Sequence, residues 1–116
     1  MSTPKIESYH FGEIVIDGQR YSSDVIVYPD RIDSQWWRKE GHSLEPADVS
    51  EVLQAPPEVL VIEQGNPGRM DVPAETRRKL EEAGTEVIVE PTTRACDTYN
   101  RLRGKRRVVA ALHLTC

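Results

Sequence analysis

A chain of 116 residues, 38% hydrophobic and 29% charged, is expected to be one globular domain with an ordinary core that needs no disulfide or metal staple. Its formal net charge of −4 argues against a nucleic-acid partner, since such domains are typically basic. Cys96 and Cys116 are too few for a disulfide framework, MSTPKIESYHF has no apolar leader, and no run approaches about eighteen apolar residues; a soluble protein of a reducing cytoplasm, with no membrane partner, is the expectation.

The first third reads as strands. Ile6 to Tyr9 is a short one, and Glu13 to Ile16 (EIVI) runs into Asp17-Gly18, a strong hairpin signal, before the chain resumes at Gln19 to Tyr21. Asp24 to Tyr28 (DVIVY) is β-branched and stops at Pro29. From Asp30 to Leu44 the chain turns polar and irregular. Then the period changes: Pro46 suits a first helical turn, and Val49, Val52 and Leu53 form a stripe that ends at Pro56-Pro57. VLVIE (59–63) is a continuous apolar run, as expected for a strand covered on both faces.

After the loop QGNPGRMD a second helix is expected, with Asp71 capping its first amides, Pro73 in its first turn, Thr76, Leu80 and Ala83 on one face, and Gly84 at C′. EVIVE (86–90) is the next strand. Thr92 or Thr93 begins a third helix that ends at Gly104 and buries Ala95, Cys96, Tyr99 and Leu102. The last strand runs from Val108 to Leu114. Strands joined by single helices predict right-handed crossovers and a largely parallel sheet, an α/β domain.

Together the stretches FGEIVIDGQRYSSDVIVYP, WWRKEGHSL, PEVLVIEQGNPGRMDV, ACDTYNRL and ALHLTC resemble the family of small uncharacterised proteins built on the adipogenesis-associated Mth domain, which includes a mitochondrial assembly factor for respiratory complex I. The resemblance covers nearly the whole chain. It implies a single three-layer α/β domain, with a central mixed, mostly parallel sheet, helices, and an N-terminal β-hairpin packed alongside. It implies no catalytic residue and no cofactor. The family pattern has a glycine where this chain has Glu63, and a second one at Gly65, so Glu63 weakens a phosphate-cradle reading of the loop that follows.

The chemistry-bearing residues are few. His113 stands three residues before Cys116, but side chains three apart on a strand point to opposite faces, so the two cannot grip one metal unless the chain bends. The three His are scattered, unlike the paired spacings of zinc sites, and no metal is expected. His113 is expected to be a partly buried imidazole bonded to a neighbouring loop; its position at the C-terminal end of a sheet strand, where ligands bind open α/β sheets, keeps a functional role open. Cys96, on the inward stripe of a helix, reads as a small core residue.

Two loops are the candidate ligand-binding segments. Gln64 to Arg69 follows a central strand and precedes a helix, and its Gly65, Asn66, Gly68 and Arg69 suit a small anion; the plainer reading is a turn that needs glycines. Gln35 to His42 carries the chain's two Trp residues. One ring, Trp36 or Trp37, is expected to anchor the loop in the core, while the other, with Arg38 and His42, lines a pocket or meets a protein partner through the Trp36-Trp37 loop; Trp37, Arg38 and His42 are the candidate binding residues here. Arg101, Arg103, Lys105, Arg106 and Arg107 cluster where a helix dipole favours cations and read as a solvated helix end. No GxSxG, HExxH or DxD-type acidic motif is present. The reading is therefore a non-catalytic interaction or assembly module, monomeric or weakly homo-oligomeric. The alternative is a small-anion binder or enzyme using the 64–69 loop with His42 or His113.

Overall fold

The computed structural model describes residues 4–10, 12–36, 43–63 and 71–114. Strands β1 (Ile6–His10), β2 (Glu13–Ile16) and β3 (Gln19–Tyr21) form a three-stranded antiparallel sheet. The turn between β2 and β3 holds Asp17 at φ 50° and Gly18 at φ 80°, the two successive left-handed residues that match the twist of a tight hairpin. Alternation along β2 sends Ile14 and Ile16 inward, both fully buried.

The main sheet has five strands in the order β5-β4-β8-β6-β7: β4 (Val25–Val27), β5 (Ile32–Asp33), β6 (Val59–Glu63), β7 (Glu86–Glu90) and β8 (Val108–Leu112). The strands β7, β6 and β8 run parallel, as the helical crossovers require, whereas β4 pairs antiparallel with β8 and β5 with β4. Every residue of β6 and β8 is buried, which explains why both are continuous apolar runs apart from Glu63.

Three layers follow from the two faces of this sheet. On one, Val25, Val27, Val59, Val61, Val108, Ala110 and Leu112 pack against helix α3 (Thr92–Leu102) through Ala95, Cys96 and Tyr99, and against the small sheet through Ile6, Ile14 and Ile16. On the other, Ile26, Leu60, Ile62, Val109 and Ala111 meet Val49 and Val52 around helix α1 (Ser50–Gln54), Leu80 of helix α2 (Ala74–Glu82), and Trp36 and Leu44. The mixed sheet and the flanking antiparallel hairpin are those implied by the resemblance.

Several details differ from the sequence reading. The polar stretch after Pro29 contains β5, a two-residue strand on the outer edge of β4. The helix expected at Pro46 opens as a 3₁₀ turn, Pro46–Val49, closed by Glu45 N–H donating to Asp48 Oδ2 at 2.8 Å. Asp71 does not cap α2: the extended Pro73 is the N-cap, so Asp71 lies too far upstream, and its carbonyl accepts from Leu44 N–H at 2.9 Å instead. Ala83 is exposed because the helix ends at Glu82 and Gly84, at φ 92°, turns the chain away. The last strand leaves the ladder after Leu112, two residues early.

Asn100 on α3 ties the layers together. Its Oδ1 accepts from Ile6 N–H at 3.0 Å and its Nδ2 donates to the Ile6 carbonyl at 2.7 Å, so the amide takes the place of a neighbouring strand at the edge of β1. Replacing Asn100 with Leu should keep the volume, strand both Ile6 groups, and lower unfolding stability by about 2 kcal/mol in a urea titration. An unchanged midpoint would show that water serves this edge equally well.

Candidate functional site

The parallel strands β6, β7 and β8 all end at one edge of the main sheet, where open α/β folds bind ligands. His113 is the first residue beyond β8, and the pairing of Val25 with Leu112 sets Asp24 opposite it. The imidazole is buried, with Nδ1 2.8 Å from Asp24 Oδ2, while the other oxygen, Oδ1, accepts from Leu114 N–H at 2.8 Å. One carboxylate thus orients the ring and holds the backbone that follows. A carboxylate at Nδ1 selects the form protonated there and fixes the ring plane. The Leu114 carbonyl in turn accepts from Gly12 N–H at 3.0 Å and Tyr9 O–H at 3.1 Å, so the end of the described chain is bonded to both sheets.

His113 follows Val109 and Ala111 onto the α1–α2 face, and Leu112 and Leu114 take the opposite one. Cys116 lies outside the described residues, as do Trp37, Arg38, His42, Gly65, Asn66, Gly68 and Arg69. Their flanking anchors are described. Trp36 is the buried tryptophan among them, and its Nε1 donates to the Asp48 carbonyl at 2.8 Å, pinning the start of the 37–42 segment to the 3₁₀ turn. The far end of that segment, Ser43, forms a parallel bridge with Asp71, the residue that ends the 64–70 segment. Buried Thr76 on α2 fixes the same corner by donating to the Leu44 carbonyl at 2.7 Å. The ends of both candidate loops therefore meet at one point.

The other face of this edge carries two groups that sequence reasoning valued differently. Glu63, at the end of β6, is fully buried although it is a carboxylate. Cys96 is buried below it on α3, where desolvation, followed by the charges of Glu63 and Asp97, pushes its thiol up to about 12. A core thiol of that kind is a poor nucleophile, in keeping with its place on the inward stripe. Asp24 is absent from the candidate residues of the sequence: it precedes an apolar strand, and no local pattern marks it as the partner of a histidine 89 positions away. The basic cluster is largely surface, with Arg106 Nη1 3.1 Å from Glu86 Oε1. On α2, Arg77, Arg78 and Lys79 pair with Glu81, Glu82 and Glu75 one turn away.

The family model described as "Protein of unknown function (DUF498/DUF598)" matches residues 6–113. The chain belongs to this family. It is similar to the conserved hypothetical protein PH1505 from Pyrococcus horikoshii OT3, at 31% identity over 97% of this chain and 99% of that one, with a TM-score of 0.82. The structure named MT938 is 27% identical over 98% of this chain and 100% of its own, with a TM-score of 0.80. A Bordetella pertussis protein, described as a Mth938-like domain, is 26% identical over 96% of this chain and 85% of that one, with a TM-score of 0.68. These likenesses bear out the Mth-domain resemblance and the α/β fold.

In a Cys116→Ser variant, the depressed thiolate fraction predicts that Cys96 resists iodoacetamide at pH 8 in the native protein and alkylates readily in urea. With a pKa of about 12, on the order of one thiol in ten thousand is ionised there. Native labelling at the rate of a free thiol would show that the site is open.

Proposed function

We propose that the protein is a non-catalytic interaction or assembly module, and that segments 37–42 and 64–70, whose described flanks lie at the C-terminal edge of the sheet, supply its binding face. The observation that carries this reading is the Ser43–Asp71 bridge, which joins the ends of both segments beside α2. A second support is the division of labour between the two tryptophans. Trp36 is buried in the core, so on this reading the role of anchor for a protein partner falls to Trp37 and to Arg38, the next residue in sequence, residue types enriched where binding energy concentrates. The assembly-factor member of the resembling family fits the same role. No described helix is long and apolar enough to cross a membrane, and the sparse cysteines favour the cytoplasm.

A second reading uses the same edge for a small anion, held by Gly65, Asn66, Gly68 and Arg69 with His42 or His113 as the polar group. The Asp24–His113 pair favours it, because an imidazole oriented by a carboxylate at a strand end is the arrangement that acid–base chemistry uses. The two readings separate experimentally.

With the full chain as bait, Trp37→Ala should keep the wild-type urea midpoint and lose the captured partner, whereas Trp36→Ala should lose about 3 to 5 kcal/mol of stability. If Trp37→Ala unfolds the protein, that ring belongs to the core and the module reading loses its main support. A thermal-shift series with phosphate and small carboxylates tests the second reading. Ligand at about a hundred times Kd should stabilise by about 2.7 kcal/mol, and a flat series counts against it.

A further inference from the structure

We propose that the cleft at the opposite end of the sheet, between α1 and the turn joining β4 to β5, binds a small monocarboxylate with an apolar body. The cleft has a volume of about 390 Å³ and is lined by Tyr28, Arg31, Glu51, Gln54, Arg107 and Val109 among others. It lies at the N-terminal ends of β6 and β8, the edge opposite His113, so it is independent of the function proposed above.

Three observations define its chemistry. Tyr28 is 6% exposed, and its hydroxyl, shut off from solvent, has no hydrogen-bond partner among the described residues. A phenol is an O–H donor at neutral pH, and burial raises its pKa further, so the group is a donor that lacks an acceptor among the described residues. Arg31 is committed: its guanidinium lies 4.0 Å over the Tyr28 ring and pairs with Asp30 and with Glu51 across the cleft. Arg107 is not, for its side chain makes one long contact, Nη1 to the Pro56 carbonyl at 3.5 Å, and pairs with no carboxylate among the described residues.

The cleft therefore offers one uncommitted cation and one unsatisfied donor, with Val109, Ala55 and Pro29 as apolar wall. A planar carboxylate matches a guanidinium fork, and its oxygens are acceptors for the phenol. A dianionic phosphate fits less well, because Asp30 and Glu51 at the rim repel the second charge.

The test is a titration of the isotope-labelled full chain, followed by backbone amide shifts, with hexanoate, hexanamide and inorganic phosphate as probes. Hexanoate should give saturable shifts at Arg31, Gln54 and Val109, with hexanamide and phosphate each about tenfold weaker. Arg107→Gln should weaken hexanoate by about tenfold without moving the melting temperature much. Tyr28→Phe should raise the melting temperature of the unliganded protein, by removing a buried donor with no partner, and also weaken hexanoate. The proposal is overturned by an absence of saturable shifts, by equal binding of hexanoate and its amide, by equal binding of phosphate, or by undiminished binding to Arg107→Gln. A lower melting temperature for Tyr28→Phe would show that the hydroxyl is already satisfied, and would overturn it too.

Discussion

The fold depends on one strand supplied by the far end of the chain. β8 lies in the middle of the main sheet, antiparallel to β4 on one side and parallel to β6 on the other, with all five residues buried. Without it the β4–β5 pair has no connection to β6 and β7, and both apolar faces of the sheet lose their centre. Its small residues matter as well. Ala110 and Ala111 are fully buried, one on each face, where larger side chains would push the layers apart. Because β8 pairs with a strand from the chain's first quarter, this sheet closes only when distant segments meet, a topology that folds slowly.

The same strand organises the chemistry. By ending at Leu112 it leaves His113 and Leu114 at the sheet edge, where Asp24 binds both. The α3 face of that edge is filled by the small sheet, Cys96 and Glu63. The α1–α2 face instead receives the anchors of the two candidate loops, Trp36 at the 3₁₀ turn and the Ser43–Asp71 bridge.

Where a feature was local, the sequence carried it. The Asp17-Gly18 turn, the VLVIE and EVIVE strands and the inward stripe of α3 each rest on a period or a turn residue within a few positions. What was illegible was relational. β5 is two residues long and has no pattern of its own; it exists because the outer edge of β4 accepts it. Asp71 looked like a cap because its residue type suits one, yet the tertiary bridge to Ser43 claims its backbone. The pairing of Asp24 with His113 and the missing partner of the Tyr28 hydroxyl depend on which strands become neighbours, which alternation within a strand does not encode.

Native-state hydrogen exchange tests the central role of β8 most directly. The amides of Val109 to Leu112 should be among the slowest in the protein and exchange only through global unfolding, with edge strand β5 and the start of β1 opening earlier. Exchange of β8 by a smaller, local opening, while β6 and β7 stay protected, would contradict the account.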